Sequence, residues 1–289
     1  MYRIQVEREG SYFMDIRMIA LDLDGTTLRS DGRLSGFTKN VLEEAIEKGI
    51  HVAIATGRTV TSITDEVRSV SGLKYLITSN GAVTIDNLTG DVISSEFVTE
   101  DTVLKAAEIL EGEELMVEAC IDGFAYADSF YYNLAKRGKL GFRNQQYVTA
   151  TRTPVDSILD FMVKNKERVE NININFRNPE DREAFRTKLM CLENATLTSS
   201  FKYNIEIGGK NTSKANALKK LCQILNITPE QIMSFGDSPN DWDMMSISGY
   251  PVAVGNAVSE IREKAWLVCP SNDDDGVAVT IKEYILSKM

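Results

Sequence analysis

The segment that most constrains this chain is Asp22-Leu23-Asp24-Gly25-Thr26-Thr27, which directly follows a short apolar run, residues 18–21. The apolar run predicts a buried strand, and two carboxylates separated by one apolar residue stand at its end. Unpaired charge is costly to bury, so a strand end of this kind calls for a cation, and a divalent metal ion is the natural candidate. The plainer alternative is a turn from strand to loop that carries two solvated acids.

Length and composition restrict the kind of protein that this chain can be and the kind of partner that it can bind. The length of 289 residues allows one large or two medium domains, and 43% hydrophobic content is enough to form a core without disulfides or structural metals. The formal net charge of −10 argues against nucleic acid or an anionic membrane as a partner. A phosphorylated small molecule remains a suitable partner, provided that a metal ion and a lysine supply local positive charge.

Cysteine and histidine usage indicate a reducing compartment and no histidine-based metal site. The single histidine, His51, begins an apolar run and is expected to pack structurally. The chain has no C-x-x-C pair, which predicts reduced thiols in a cytoplasmic protein, and its four cysteines are Cys120, Cys191, Cys222 and Cys269. No stretch approaches 18 apolar residues, so we expect no membrane span. We expect a monomer or a weak homodimer.

The first 14 residues lack the apolar segment of a signal peptide. They lie ahead of the first strong strand pattern. Three interpretations stay open for them: an extra strand, a frayed tail or an upstream start.

Strands and helices alternate in the first and last thirds of the chain. Apolar runs and helical spacing predict strands at 18–22, 51–55 and 75–78 and helices at 38–46 and 61–70. The last third repeats this order, with helices at 213–225 and 276–286 and strands at 231–235, 250–254 and 266–268. This alternation implies a parallel sheet with crossover helices.

The middle of the chain has a different pattern. Turn signals at 87–90 and 121–124 predict two hairpins, and strict alternation at 170–176 predicts a strand with one apolar face. Hairpins mixed with helices indicate a separate α+β domain. We therefore predict an α/β fold with a Rossmann-like, doubly wound parallel sheet in a core of residues 1–84 and 201–289, and an inserted α+β domain at 85–200.

Polar residues follow four of the predicted strands: Asp22 with Asp24, Thr56, Asn80 and Asp237. Ligands bind at the carboxyl ends of the strands in an open α/β sheet, so we expect these side chains to converge on one site. Each of these residues also has a simpler interpretation when it is considered alone. The segment 236–241 could be an ordinary turn with a capping Asp, and Lys214 could be a solvated side chain at the start of a helix.

The residue types at this site suit phosphoryl transfer. Asp22 can attack phosphorus and form an aspartyl-phosphate, and Mg²⁺ held by Asp22 and Asp237 would offset the repulsion between carboxylate and phosphate. Asp24 can give a proton to the departing alkoxide and then activate the hydrolytic water. Lys214 can neutralise the phosphoryl oxygens, and Thr56 can donate a hydrogen bond to one of them. Asp241 can support the metal ion without binding it directly.

With these residues in place, the chain resembles the haloacid dehalogenase-like hydrolases, and among them the Cof-type sugar-phosphatase branch. The resemblance covers nearly the whole chain, and the matching segments in order are 19–26, 55–58, 78–82, 213–214, 236–241, 254–257 and 272–277. The first and fifth segments are highly specific. Four positions depart from the common pattern without removing a reacting group, and they are Thr27, Ala215, Trp242 and Val254.

The resemblance implies a role for each matched residue. It makes Asp22 the nucleophile and Asp24 the general acid and base. It implies phosphate binding by Thr56, Gly57, Lys214 and Asn240. It implies metal binding by Asp22, Asp24 through its backbone carbonyl, and Asp237, with support from Asp241. The inserted domain would be the family's cap domain, which closes over the core and selects the leaving group.

The function expected from the sequence is a Mg²⁺-dependent phosphatase that hydrolyses a small phosphorylated metabolite, such as a sugar phosphate, through an aspartyl-phosphate. One alternative is a phosphomutase, whose bisphosphate intermediate a basic cluster would hold: Lys136, Arg137, Lys139 and Arg143. Another is a non-catalytic sensor of a phosphorylated ligand, which the intact Asp22 and Asp24 disfavour. Candidate contacts to the leaving group are Tyr126, Tyr131, Tyr132 and Arg143.

Overall fold

The computed structural model describes residues 14–289, so the interpretations of the segment before Met14 lie outside the described residues. The strands of the described part are, in chain order, β1 (Met18–Leu21), β2 (His51–Ala55), β3 (Tyr75–Thr78), β4 (Val83–Asp86), β5 (Val92–Ser95), β6 (Met116–Ile121), β7 (Phe124–Asp128), β8 (Arg152–Val155), β9 (Val169–Asn175), β10 (Ala195–Thr198), β11 (Asn204–Gly209), β12 (Ile232–Gly236), β13 (Tyr250–Ala253) and β14 (Leu267–Val268).

The α-helices of the same residues are α1 (Gly36–Glu47), α2 (Asp65–Arg68), α3 (Glu100–Leu110), α4 (Ser129–Lys136), α5 (Gln145–Thr151), α6 (Ile158–Lys164), α7 (Pro179–Leu189), α8 (Lys214–Leu225), α9 (Trp242–Ile247), α10 (Ser259–Lys264) and α11 (Gly276–Tyr284). Short 3-10 turns occur at Val60–Ser62, Ser79–Gly81, Lys166–Arg168, Pro229–Gln231, Pro239–Asp241, Asn272–Asp274 and Leu286–Lys288. The chain divides into two compact units, each built on its own sheet.

Of the described residues, the first unit comprises 14–56, 63–94 and 213–289. Its eight strands lie in the order β14-β13-β12-β1-β2-β3-β4-β5. The pairings from β14 to β3 are parallel, and β3 pairs with β4 in the antiparallel direction. The chain therefore runs outward from β1 on one side and outward from β12 on the other. This is the doubly wound order predicted from the sequence, and its strand order reverses between β1 and β12.

Local signals in the sequence set the ends of the helices that flank this sheet. The Ser35 hydroxyl accepts the N–H of Thr38 at 2.9 Å and caps α1, and Gly49 follows the helix with φ of +88°. Helix α8 is capped in the same way by Ser213, whose hydroxyl accepts the N–H of Asn216 at 3.1 Å. The capped start of α8 fixes the place of Lys214, its first residue.

The helix predicted at 61–70 is broken in the structure. A 3-10 turn covers Val60–Ser62, and α2 covers only Asp65–Arg68. Thr64 lies between them with extended backbone angles, and β-branched threonines are poor helix formers. The Arg58 guanidinium further fixes the turn by donating to the carbonyl of Ser62 at 3.1 Å.

The second unit comprises residues 57–62 and 95–212. Its six strands lie in the order β10-β11-β9-β6-β7-β8, and all pairs are antiparallel except β7 with β8. Residues of α3, α6 and α7 pack with one face of the sheet in an apolar core. The central members of that core are Val117, Ala119, Ile172, Ile174, Ile205 and Ile207, with Val103, Ala106, Met162, Phe185 and Leu189 from the helices.

The boundaries of the two units differ from the predicted 84/85 and 200/201. Strands β4 and β5 continue the first sheet, so that unit extends to Ser94. Strands β10 and β11 belong to the second sheet, so the second unit extends to Thr212. The predicted boundaries followed changes in pattern along the chain, whereas hydrogen bonding between strands determines which sheet a strand joins.

The second face of this sheet is also buried, but it carries polar side chains. Strand β9 shows the apolar face predicted for it. On its other face, Asn173 lies opposite Glu118 of β6 and Glu206 of β11. We call the following buried residues the polar face: Glu118, Asn171, Asn173, Asn175, Asn204 and Glu206. At its centre, Glu118 accepts hydrogen bonds from Arg152 at 2.9 Å, from Arg143 at 3.0 Å and from Asn173 at 2.7 Å.

The Glu118 ion pairs are expected to stabilise the protein in a pH-dependent way. Burial alone would raise the pKa of Glu118, but the charges of Arg143 and Arg152 lower it to about 2. Because the pKa in the folded state is depressed, the stabilisation is complete above the ordinary value of 4.5 and is lost as the pH falls from there toward 2. We expect Glu118→Gln to reduce the free energy of unfolding at pH 7 by about 3 to 5 kcal/mol, since it leaves buried guanidinium charge unpaired.

Urea unfolding of the wild type and the variant at pH 7 and pH 4 checks this prediction. The difference in the free energy of unfolding between the wild type and the variant is expected to be smaller at pH 4 than at pH 7 by about 1 kcal/mol. Glu113→Gln is the control, because Glu113 forms an exposed ion pair with Lys188 and such pairs contribute about 1 kcal/mol or less. Equal losses in the two variants would contradict the prediction.

Candidate active site

The candidate site is built at the carboxyl ends of neighbouring strands in the first unit. Asp22 follows β1, and its N–H donates to the carbonyl of Phe235 in β12 at 3.1 Å. Asp237 follows the last residue of β12. Both carboxylates therefore lie where the strand order of the sheet reverses, which is the position at which open α/β sheets bind ligands.

The turn after β1 is packed tightly against the turn after β12. Gly25 has φ of +81°, and a Cβ atom at this position would lie 2.9 Å from Oδ2 of Asp237. The Thr26 hydroxyl donates to Oδ1 of Asp237 at 3.0 Å, and the Thr27 hydroxyl donates to the carbonyl of Asp22 at 2.5 Å. Gly25 thus allows the close approach of the two turns, Thr26 links its turn to the Asp237 carboxylate, and Thr27 fixes its own turn to the backbone of Asp22.

Lys214 supplies the positive charge of the site. Its side chain is 1% exposed, and its ammonium lies 2.7 Å from Oδ1 of Asp22 and 2.7 Å from Oδ1 of Asp241. The start of α8 lies against the backbone of Gly81, where a Cβ atom would be 2.3 Å from the carbonyl oxygen of Ser213. The alternative of a solvated lysine at a helix start is therefore wrong.

Asp241 organises the turn that carries Asp237. Its Oδ2 accepts the backbone N–H groups of Asp237 at 3.0 Å and Ser238 at 3.1 Å, and also the Ser238 hydroxyl at 3.2 Å. The same hydroxyl lies 2.6 Å from Oδ1 of Asn240. One oxygen of Asp241 binds the turn and the other binds Lys214. Asp241 therefore positions both the turn that carries Asp237 and the Lys214 ammonium.

The three carboxylates can hold a metal ion. One oxygen from each of Asp22, Asp237 and Asp241 lies within 4.8 Å of the others. Among the described residues, Oδ2 of Asp22 and Oδ2 of Asp237 accept no hydrogen bond. Three ionised carboxylates and one ammonium leave two negative charges, which a divalent cation would balance. Oxygen donors of this kind suit Mg²⁺, which typically takes one or two protein carboxylates.

The electrostatics of the site reflect this excess of negative charge. Burial and then the charge of Asp241 raise the pKa of Asp22 well above its usual value. The same two causes, burial first, raise the pKa of Asp237 to about 7. Burial would lower the pKa of Lys214, but Asp22 and Asp241 raise it, so the ammonium stays charged at neutral pH.

Thr56, Asp24, Asn240 and Gly57 are the remaining predicted site residues. Thr56 is buried directly after β2, and its N–H donates to the carbonyl of Ile77 at 2.9 Å. The Asp24 side chain is exposed and stands outside the cluster of three carboxylates, so its roles stay predictions. Asn240 is half-buried in the turn after β12, and Gly57 begins the segment 57–62 of the second unit.

Two asparagines near the site were quoted in the sequence motifs without a role. Asn256 donates to the carbonyl of Gly25 at 2.7 Å and accepts the N–H of Asn272 at 3.0 Å. Asn272 in turn donates to the carbonyl of Leu28 at 2.9 Å. The two side chains therefore hold the turn after β1 from its carbonyl side. The only sign of this role in the sequence was that both asparagines lie in segments that match the family pattern, 254–257 and 272–277.

The residues suggested for the phosphomutase alternative and for leaving-group contacts differ in their exposure and in their partners. Lys136, Arg137 and Lys139 are exposed, whereas Arg143 binds Glu118. Among the aromatic candidates of the second unit, the Tyr126 ring packs at an inclination against Phe161, with centroids 4.5 Å apart. Tyr131 is buried in an apolar cluster, and the Tyr132 hydroxyl donates to the carbonyl of Thr149 at 3.4 Å.

Comparison with known proteins identifies the family. The model of the haloacid dehalogenase-like hydrolase family matches residues 19–281, which is most of the chain. The chain belongs to the haloacid dehalogenase-like hydrolases. This membership confirms the resemblance drawn from the motifs. Among the described residues of this hydrolase, no helix is long and apolar enough to cross a membrane.

Individual relatives match this hydrolase over nearly the full length of both chains. The 5-amino-6-(5-phospho-D-ribitylamino)uracil phosphatase YcsE of Bacillus subtilis is 28% identical over 283 residues, which are 98% of this chain and 100% of the relative. The phosphatase YwpJ of the same species is 28% identical over 292 residues, covering 93% and 100% of the two chains. A solved haloacid dehalogenase-like hydrolase from B. subtilis has a TM-score of 0.81 at 28% identity, covering 92% and 99%. These similarities support an enzyme of the phosphatase class, as expected from the sequence.

Proposed function

We propose that the protein is a Mg²⁺-dependent phosphatase that hydrolyses a phosphomonoester of a small metabolite through an aspartyl-phosphate on Asp22. The arrangement of Asp22 carries this proposal. One of its oxygens is bound to the buried Lys214 ammonium, and the other accepts no hydrogen bond among the described residues. Lys214 holds the carboxylate in one orientation, so that its open oxygen is available to act as a nucleophile.

The residues of this site divide the chemistry among them. Bound Mg²⁺, held by Asp22 and Asp237, would offset the negative charge that gathers when a phosphoryl group meets these carboxylates. The open oxygen of Asp22 forms a bond to phosphorus as the bond from phosphorus to the leaving oxygen breaks. Asp24 gives its proton to that leaving oxygen and then takes a proton from the attacking water. The water oxygen bonds to phosphorus, which releases phosphate and restores Asp22.

The two alternatives receive less support. The basic cluster suggested for a phosphomutase has less support, because three of its four members are exposed and the charge of Arg143 is already paired with Glu118. A sensor would have no use for an exposed acid, Asp24, two residues from a buried carboxylate. The name of the relative YcsE makes 5-amino-6-(5-phospho-D-ribitylamino)uracil one candidate substrate to include in a test.

Phosphate release with and without metal tests the proposal. The substrates are p-nitrophenyl phosphate, ribose 5-phosphate, glucose 6-phosphate and the ribitylaminouracil phosphate, and released inorganic phosphate is measured. We expect at least one ester to be hydrolysed with Mg²⁺, EDTA to lower the rate by about a hundredfold or more, and added Mg²⁺ to restore it. The loss is expected because the site then lacks the divalent charge that offsets the repulsion between the Asp22 carboxylate and the phosphoryl group.

The outcomes of this assay separate the three functions. No phosphate release from any of these esters with Mg²⁺, or release that EDTA leaves unchanged, would contradict the proposal. Release that requires an added sugar bisphosphate would favour the phosphomutase.

A further inference from the structure

The turn after β1 is fixed at its far end by the loop that follows β14. The buried amide of Asn272 donates to the carbonyl of Leu28 at 2.9 Å, and the N–H of Leu28 donates to the carbonyl of Leu23 at 2.9 Å. Asp273 accepts the N–H of Ser30 at 2.8 Å and the hydroxyl of the same residue at 2.7 Å. The residues that lead out of the turn are therefore bound to a neighbouring loop at several points.

The near end of the turn, where Asp24 lies, is bound by an asparagine from the loop after β13. Asn256 donates to the carbonyl of Gly25 at 2.7 Å, and its own side-chain oxygen accepts the N–H of Asn272 at 3.0 Å. The Asn256 amide thus ties Gly25 to the loop that already holds the far end. Asparagine suits this place because its amide is both a donor and an acceptor, whereas a carboxylate has no donor.

The backbone at Gly25 needs such a restraint. Glycine restricts its own backbone angles less than any other residue, and Gly25, with φ of +81°, directly follows Asp24 in the chain. The Asp24 side chain is exposed, so packing in the core does not fix its position. A hydrogen bond to the Gly25 carbonyl limits rotation of the glycine and thereby limits the movement of the residue attached to it.

We propose that Asn256 is a positioning residue for the reaction and acts through Asp24 by fixing the backbone of Gly25. This inference rests on the proposed phosphatase function, in which Asp24 gives its proton to the leaving oxygen. A proton donor has to lie within hydrogen-bond distance of the atom that it protonates, so a looser turn places Asp24 correctly less often. The restraint therefore matters most for a leaving group that needs the proton.

The leaving groups of the ester panel differ in this need. A sugar alcohol is a weak acid, so its oxygen has to be protonated as the bond to phosphorus breaks. The p-nitrophenolate ion is stable enough to leave without a proton. The ratio kcat/KM includes only the steps up to release of the leaving group, so the later proton transfer from water to Asp24 does not affect the comparison.

Steady-state kinetics of Asn256→Ala with saturating Mg²⁺ test the proposal. We expect kcat/KM to fall about tenfold for ribose 5-phosphate or glucose 6-phosphate, whichever the wild type hydrolyses better. With p-nitrophenyl phosphate, kcat/KM is expected to change less than about twofold. A variant that had merely lost part of its folded structure would lose activity toward both kinds of ester alike.

Asn87→Ala is the matched control. Asn87 follows β4 in the same unit, and its amide also donates to backbone carbonyls, those of Arg68 at 3.0 Å and Leu73 at 3.1 Å. This variant is expected to keep kcat/KM within about twofold of the wild type for every ester. Both variants are expected to unfold within about 5 °C of the wild type, since each loses only hydrogen bonds of one amide.

A double-mutant cycle tests whether Asn256 acts through Asp24. Asp24→Asn is expected to lower kcat/KM for the sugar phosphate by about a hundredfold or more, because an amide gives up no proton. Adding Asn256→Ala to this variant is expected to lower kcat/KM less than about twofold further. A residue that acts independently of Asp24 would cause the same tenfold loss in both backgrounds.

Each outcome of these measurements decides between the proposals. Equal losses in Asn256→Ala with the sugar phosphate and with p-nitrophenyl phosphate, or a tenfold further loss in the Asp24→Asn background, would overturn the role of Asn256 while the phosphatase function stands. If the wild type hydrolyses only aryl esters, phenyl phosphate, which has the more basic leaving group, replaces the sugar phosphate. If it hydrolyses only sugar phosphates, the double-mutant cycle decides. A wild type that hydrolyses none of the esters would overturn the phosphatase function itself.

Discussion

Asp22→Asn is expected to lower the rate of phosphate release by about ten-thousand-fold or more while the protein stays folded. An amide oxygen is a far weaker nucleophile than a carboxylate, so the bond to phosphorus no longer forms at a useful rate. The asparagine keeps the shape of the side chain, and Lys214 keeps its second partner, Asp241, at 2.7 Å. Phosphate release is measured with the best ester of the panel and saturating Mg²⁺.

The stability of the same variant separates lost chemistry from lost structure. The pKa of Asp22 in the folded protein is raised by burial and by Asp241, so ionising this group above its ordinary value of 3.8 opposes folding. The amide that replaces it carries no such charge. In the presence of EDTA, the thermal midpoint of the variant is therefore expected to equal or exceed that of the wild type, with the difference growing as the pH rises from 4 to 8.

Asp31→Asn is the control for the activity measurement. Asp31 is an exposed acid in the same stretch of chain, and its side chain accepts the N–H of Arg33 at 3.0 Å. This variant is expected to keep nearly full activity. If Asp22→Asn hydrolysed the ester as fast as the wild type, another group would have to be the nucleophile.

The convergence of the carboxylates could be predicted from the sequence because it follows from topology. Asp22 and Asp237 both come directly after apolar runs, and neighbouring parallel strands bring such positions to one edge of a sheet. The state of Lys214 could not be predicted in this way. A lysine at the start of a helix is usually solvated, and only the fold shows that its ammonium is buried between two acids.

Other features depend on contacts that leave little trace in local patterns. The hydrogen bond from Asn256 to Gly25 joins residues 231 positions apart, and asparagine after glycine is also an ordinary turn signal. Nothing in the sequence of strands β10 and β11 says which of the two sheets they join. The polar face was missed because alternation of apolar and polar residues normally indicates a solvated second face.

Lys214→Met is expected to destabilise the metal-free protein by about 3 to 5 kcal/mol, because it removes the ammonium bound to Asp22 and Asp241 and leaves buried carboxylates without a cation. The raised pKa of Lys214 means that its stabilisation is present throughout the neutral range and would be lost only at strongly alkaline pH. The loss is expected to be larger at pH 8 than at pH 5, because the carboxylates of the variant are more fully ionised at the higher pH. Urea unfolding in EDTA at these two pH values measures both effects.

The activity of Lys214→Met links this stability to the chemistry. Without the ammonium, Asp22 loses the group that orients it and the phosphoryl oxygens lose a positive charge, so the rate of phosphate release with Mg²⁺ is expected to fall about a thousandfold. Lys219→Met is the matched control, since Lys219 is an exposed lysine on the same helix, and both its activity and its unfolding midpoint are expected to stay close to the wild type. Equal stability of the two variants at pH 8 would mean that Lys214 does not compensate the charge of Asp22 and Asp241. That result would also contradict the proposal that Lys214 orients Asp22.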